Sequence, residues 1–179
     1  LKLDTPEIER RARRIKLLLM DCDGVMTDGR LWLTADGDEQ KAFDARDGQG
    51  IALCHRAGLK TGIITGRQSG AVDRRAQNLK MSYVRQYAKD KIKALDEILK
   101  EADVSEDECA YIGDDLGDLA VMQRVELAVA VADAVAETKH AAHYVTRLPG
   151  GRGAVREVCE LILKTQGRWE ELMDHFSAI

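Results

Sequence analysis

Short apolar runs alternate with longer stretches of helical periodicity along this chain, and that alternation leaves few folds open. The runs fall at residues 15–20, 60–65, 83–84, 109–113, 127–131 and 144–146. Between them, residues 50–57, 70–79, 91–102, 118–125, 134–141 and 153–167 space their apolar positions for helices. In the stretch 91–102, Ile92, Leu95, Ile98 and Leu99 share one face, while Lys93, Glu97, Lys100 and Glu101 point elsewhere. Such a rhythm predicts an α/β fold, a doubly wound and mostly parallel sheet with helices on both faces. One segment breaks it. Residues 30–34 and 39–45, on either side of a polar turn at 35–38, alternate as two strands. This β-hairpin insertion, about 29–46, follows directly on the first strand and is expected to project from the sheet. Residues 7–14 are expected as a frayed helix, and the tail at about 168–179 as mobile.

With 179 residues the chain is long enough for one domain, 1–179, and short for two. Its 27 basic and 31 acidic residues show no basic stripe, and aromatic residues are only 4%, which together argue against nucleic acid as a partner. No apolar run approaches the roughly 18 residues of a membrane span, and no signal peptide pattern is seen, so a cytoplasmic location is expected. Cys22, Cys54, Cys109 and Cys159 form no CxxC pair and are read as small buried hydrophobes. His55, His140, His143 and His175 have no metal-site spacing.

In an open parallel sheet, ligands bind beyond the carboxyl ends of the strands. Read in order, those ends deliver Asp21 and Asp23, then Thr65 with Gly66 and Arg67, then Lys91 at the start of a helix, then Asp114, Asp115 and Asp118. Carboxylates converging on one edge repel each other unless a cation sits among them. An oxygen-rich set without nitrogen or sulfur ligands selects Mg²⁺. Of the pair Asp21 and Asp23, one can attack phosphorus while the other handles a proton. Thr65 and Lys91 supply donors for phosphoryl oxygens. A single Asp after a strand is ordinarily a cap or turn former, and Asp118 reads equally as the cap of its own helix. The joint occurrence of these motifs in this order carries the functional reading.

The set resembles the haloacid dehalogenase superfamily of phosphotransferases, through Asp21-Cys-Asp-Gly-Val25, Ile64-Thr-Gly-Arg67, Lys91 and Gly113-Asp-Asp115 with Asp118. The resemblance spans roughly residues 15–160. It implies an aspartyl-phosphate on Asp21, proton transfer by Asp23, and a phosphoryl group held by Thr65 and Lys91. It also implies Mg²⁺ bound by Asp21, the backbone carbonyl of Asp23 and Asp114, with Asp115 orienting a metal-bound water or Lys91. Phe43-Asp-Ala-Arg-Asp-Gly-Gln-Gly-Ile51, Gly113-Asp-Asp-Leu116, Ala128-Val-Ala-Val-Ala-Asp133 and the string 144–158 are similar to the capless 3-deoxy-D-manno-octulosonate 8-phosphate phosphatase family of lipopolysaccharide precursor synthesis. By that resemblance Asp23, Asp44, Ala45, Arg46, Asp47, Gly48, Arg67, Arg75 and Lys91 would contact a sugar-acid phosphate. The family more usually carries Asn where this chain has Asp44.

Superfamily members commonly close the site with a cap domain. The gaps 24–64 and 66–90 are too short to hold one with its own core. Subunits are therefore expected to close the site for one another, with the apolar hairpin residues Leu31, Trp32 and Leu33 pairing about a symmetry axis. The resemblance implies a homotetramer. The loop 150–153 lacks the Gly-Lys-Ser/Thr ending of a phosphate-binding loop and is expected as a flexible lead-in to the last helix, with Arg152 reaching a pocket, on this or a neighbouring subunit. Competing readings are a response-regulator receiver, a non-catalytic oligomerisation module related to sialic-acid-activating enzymes, and a phosphatase for a nine-carbon ketodeoxy sugar acid or for sugar phosphates broadly. The receiver places its acceptor Asp after an internal strand, and the intact Asp21, Asp23, Thr65, Lys91 and Asp114 set argues against lost activity.

Overall fold

A computed structural model describes residues 5–35 and 39–177. The chain opens with helix α1 (Thr5–Ala12) and enters the sheet as β1 (Leu17–Met20), every residue of which is buried. A two-stranded hairpin follows, β2 (Trp32–Leu33) paired antiparallel with β3 (Glu39–Gln40). Then come α2 (Ala45–Arg56), β4 (Lys60–Ile64), α3 (Gly70–Leu79), β5 (Tyr83–Arg85) and α4 (Lys91–Ala102). The second half runs through β6 (Cys109–Gly113), α5 (Leu119–Met122), β7 (Leu127–Ala130), α6 (Ala136–Ala141), β8 (Tyr144–Val145), α7 (Ala154–Thr165) and α8 (Trp169–Ser177).

The sheet order is β5-β4-β1-β6-β7-β8, and every pairing within it is parallel. The sequence expectation of a doubly wound α/β sheet is met. From β1 the chain builds outward through β4 and β5, then returns to add β6 on the other side. The order thus reverses at β1, the switch point beside whose carboxyl end sheets of this kind bind their ligands. Buried on both faces, the central strands are continuous apolar runs, Leu17 to Met20 and Cys109 to Gly113, rather than alternating ones. Fully buried Ile63, Ile64, Tyr111, Leu95 and Ile98 belong to the same core.

Three expectations need correction. The second hairpin strand stops at Gln40 instead of reaching residue 45, because Asp44 caps a helix: its side chain accepts the Arg46 N–H at 2.7 Å. Helix α2 therefore starts five residues before the expected 50. The turn expected at 35–38 falls largely on residues 36–38, outside the described residues. The expected helix 118–125 is split into a 3-10 turn (Leu116–Asp118) and the single α-helical turn α5. The expected mobile tail carries α8 instead, whose Trp169, Leu172 and Met173 recur at helical spacing and pack against the core. The Trp169 ring also lies under Lys164, 4.7 Å from its centroid, and Arg156, at 5.5 Å. Residues 178–179 of that tail lie outside the described residues.

Candidate active site

Parallel register brings the motifs together. Met20 pairs with Ile63 on one side and Ile112 on the other. Two residues further along, Thr65 and Asp114 accordingly flank the turn that carries Asp21 and Asp23. Asp21 continues the ladder, its N–H donating to Ile112 O at 3.0 Å, and its Oδ1 accepts the Cys22 N–H at 2.7 Å. The chain then turns sharply, with Val25, Met26 and Thr27 all donating to Cys22 O. Gly24 takes φ 92°, and a Cβ there would stand 2.0 Å from Asp114 Oδ2, so both the conformation and the close approach require glycine.

Lys91 is the first residue of α4, a helix capped by Asp90. Its ammonium lies 3.0 Å from Asp21 Oδ2 and 2.7 Å from Asp118 Oδ1. Burial acts to lower the Lys91 pKa, but Asp21 and Asp118 outweigh it and leave the ammonium held more firmly protonated than usual. Asp118 is buried and fully engaged. Its Oδ1 accepts Lys91 and the Tyr111 hydroxyl, each at 2.7 Å, while Oδ2 accepts the Asp114 N–H at 2.9 Å and the Asp115 N–H at 3.3 Å. Gly113 makes room for it, since a Cβ there would meet Asp118 Cβ at 2.6 Å.

Asp21, Asp114 and Asp118 each place a carboxylate oxygen within 4.8 Å of the others. Burial, then the Asp118 charge, raises Asp21 to about 6 against the pull of Lys91. Burial followed by Asp118 and Asp21 raises Asp114 to about 7. Asp114 Oδ1 is buried without a hydrogen-bond partner. Because Asp118 already spends its oxygens on two backbone N–H groups, a hydroxyl and an ammonium, the acceptors left over are those of Asp21 and Asp114. That donor set, all oxygen, crowded and under-neutralised, fits a divalent cation such as Mg²⁺.

Thr65 is buried at the end of β4, its N–H donating to Arg85 O at 2.9 Å and its hydroxyl accepting the Arg67 N–H at 3.4 Å. Of the two alternatives for Asp115, contact with Lys91 is not made: Asp115 is exposed, its Oδ1 caps the Leu116 N–H at 2.7 Å, and the carboxylate that orients Lys91 is that of Asp118.

The expected substrate contacts divide. Arg67 is half-exposed at the site's rim, ion-paired with Glu39 and 4.0 Å from Asp23 Oδ2. Arg46 is exposed, pairs with Asp44 at 2.7 Å and donates to Arg152 O at 2.9 Å. The extra negative charge of Asp44 is thereby neutralised within its own helix turn, and the Arg46 hydrogen bond holds the Asp44 carboxyl below its usual pKa. Ala45 is exposed beside them. Asp47 is buried, accepts the Arg156 N–H at 2.8 Å and the Gly153 N–H at 3.3 Å, and so holds the start of α7. Arg75 likewise does internal work, donating to Asp44 O at 3.0 Å and lying over the Phe43 ring at 5.5 Å. It leaves no space for a side chain at Gly48, whose Cβ would meet Arg75 Nη2 at 2.5 Å.

The loop 150–153, expected to be flexible, is clamped to the catalytic turn. Gly150 N–H donates to Asp133 Oδ1 and Gly151 N–H to Val25 O, each at 2.9 Å. A Cβ on Gly150 would lie 1.7 Å from Gly24 O. Arg152 is exposed and reaches Asp28 at 3.9 Å. Sequence reasoning missed Lys41, whose side chain is only 1% exposed and whose ammonium pairs with Asp23 and, at 3.2 Å, with Glu39. A lysine within an alternating hairpin reads as a solvated charge, and no motif flags it. Glu39 was missed for the same reason, and Tyr111 because a tyrosine inside a buried apolar strand reads as core.

Comparison with known proteins identifies the family. Residues 83–155 match the family model described as haloacid dehalogenase-like hydrolase. The 3-deoxy-D-manno-octulosonate 8-phosphate phosphatase of Yersinia pestis is 46% identical over 92% of this chain and 88% of its own length. A crystal structure of the phosphatase of that name from Moraxella catarrhalis, in complex with a magnesium ion, a phosphate ion and a KDO molecule, superposes with TM-score 0.94. It is 40% identical, and the match covers 97% of this chain and 99% of that one. A probable YrbI family phosphatase from Pseudomonas syringae pv. phaseolicola also superposes at 0.94, with 44% identity over 96% and 98% of the two chains. The chain therefore belongs to the 3-deoxy-D-manno-octulosonate 8-phosphate phosphatase family of haloacid dehalogenase-like hydrolases.

Proposed function

We propose that this chain is a Mg²⁺-dependent phosphomonoesterase that hydrolyses 3-deoxy-D-manno-octulosonate 8-phosphate to the free sugar acid and phosphate, through an aspartyl-phosphate on Asp21. The observation that carries this reading is the placement of Asp21 between Lys91, at 3.0 Å, and the partnerless acceptor of Asp114, at the switch point of the sheet. Asp21, Asp114 and the backbone carbonyl of Asp23 would hold Mg²⁺, which when bound offsets the negative charge of the nucleophile and the phosphoryl group.

Asp21 Oδ attacks phosphorus in line while the sugar oxygen leaves. Asp23 gives that oxygen its proton, then takes one from the water that cleaves the aspartyl-phosphate. Lys91 and the Thr65 hydroxyl donate to the phosphoryl oxygens as charge develops on them. Asp118 aims Lys91 and fixes the Asp114–Asp115 turn. At the rim, Arg67 and Arg46 are exposed cations suited to the carboxylate of a sugar acid.

The chain forms one domain, 1–179, with no cap, and copies of it close the site for one another in a homotetramer in the cytoplasm. Leu31, Trp32 and Leu33 support this assembly, at 45%, 59% and 69% exposed on the projecting hairpin. Light scattering at micromolar concentration should return four chain masses, and a monomer would refute the assembly. For the reaction, phosphate release is measured with and without Mg²⁺ on a panel of eight- and nine-carbon sugar-acid phosphates and ordinary hexose phosphates. Mg²⁺-dependent preference for the eight-carbon ester is expected. Preference for a nine-carbon ester or a hexose phosphate would overturn the substrate.

A further inference from the structure

Lys41 lies outside every motif, yet its side chain is among the most thoroughly enclosed charges near the site. Only 1% of it is exposed, its ammonium is ion-paired with Asp23 Oδ1, and it stands 3.2 Å from Glu39 Oε2. Glu39 in turn pairs with Arg67, which stands 4.0 Å from Asp23 Oδ2. Three segments meet here: the catalytic turn after β1, the hairpin stem at β3, and the loop after β4. Burying an ammonium is costly unless carboxylates meet it, and two do. The arrangement is therefore specified rather than incidental.

Its consequence for Asp23 is an asymmetry between the two carboxylate oxygens. Lys41 takes Oδ1, while Oδ2 is buried with no hydrogen-bond partner. A carboxylate on a two-bond side chain would otherwise rotate and offer either oxygen. We propose that Lys41 is a positioning residue that anchors Asp23 by one oxygen and leaves the other directed to the leaving group, tying the hairpin stem to the proton-transfer step. The proposal rests on the reading of Asp23 as the proton-transfer group.

The test compares two phosphate esters with opposite needs. A sugar phosphate has an alkyl alcohol as leaving group and requires protonation as the bond breaks, whereas p-nitrophenyl phosphate releases a stable phenolate that does not. Because hydrolysis of the aspartyl-phosphate is common to both esters, the readout is the single-turnover rate of alcohol release, which in Lys41→Met should fall by about 100-fold for the sugar-acid phosphate and by less than about fivefold for p-nitrophenyl phosphate, with half-saturation for both nearly unchanged. Glu39→Gln combined with Lys41→Met removes one charge of each sign and should repeat the pattern if the single variant does not fold. An equal loss of single-turnover alcohol release on both esters, weaker half-saturation with that rate intact, or failure of both variants to fold would each overturn the proposal. Asp23→Asn separates this from its premise. If Asp23→Asn lacks the leaving-group dependence, the role of Asp23 falls. If it shows that dependence while Lys41→Met does not, only the role of Lys41 falls.

Discussion

Replacing Asp114 by Asn should make the metal-free protein more stable and the enzyme inactive. The Asp114 carboxyl is raised from 3.8 to about 7 by burial and by the neighbouring Asp118, Asp21 and Asp115 carboxylates. A folded-state pKa above the unfolded one means that ionisation disfavours the folded state. The penalty is absent below the unfolded pKa, grows as pH rises, and is complete above the folded pKa. A span of roughly 3 pKa units is worth about 4 kcal/mol. Because the carboxylate is only partly buried, and so screened by solvent, and because part of that repulsion is shared with Asp21, a net gain of about 2–3 kcal/mol is expected for Asp114→Asn at pH 8. For a chain of this size that is a Tm increase of about 4–12 °C. The gain should shrink to about 1 kcal/mol at pH 5. Thermal unfolding in EDTA at the two pH values reads it directly. Added Mg²⁺ should raise the wild-type Tm at pH 8 and leave that of the variant nearly unchanged, while phosphate release by the variant is lost. A variant less stable than wild type at pH 8 in EDTA, or one whose gain does not depend on pH, would refute the reasoning.

Two further substitutions probe the supports of the site. Asp118→Asn leaves buried Lys91 with Asp21 alone and replaces an acceptor by an amide. It should cost about 3 kcal/mol, visible in urea titration, and lower kcat more than KM. Gly150→Ala drives a Cβ into Gly24 O and should cost about 1–3 kcal/mol while slowing turnover by displacing the catalytic turn. Gly70→Ala, where a Cβ meets nothing within 4 Å, is the control and should change stability by less than about 0.5 kcal/mol.

The sheet was legible because each central strand is buried on both faces and so appears as an unbroken apolar run, Leu17 to Met20 or Cys109 to Gly113. Asp21, Asp114 and Thr65 could be placed at one edge because they follow such runs directly. Helix α2 hid its first turn behind Gly48 and Gly50, poor helix formers that are present because Arg75 and the Arg156 backbone press against them. Lys41 was obscured, and Asp118 left open between site residue and helix cap, for a related reason. A charge buried by contacts distant in sequence has the same local pattern as a charge in water. Asp47 and Arg75 were placed at the substrate by resemblance, yet their polar atoms hold backbone at the entry to α2 and α7. Long-range packing decides such roles, and periodicity carries no record of it.

The central claim is that Asp21 carries the phosphoryl group, and its most direct test is the rate of Mg²⁺-dependent phosphate release by folded Asp21→Asn beside wild type. The account requires a fall of at least about 1,000-fold on 3-deoxy-D-manno-octulosonate 8-phosphate, since the amide cannot serve as the nucleophile. A rate within about tenfold of wild type would contradict it, and would point to water rather than Asp21 as the group that attacks phosphorus.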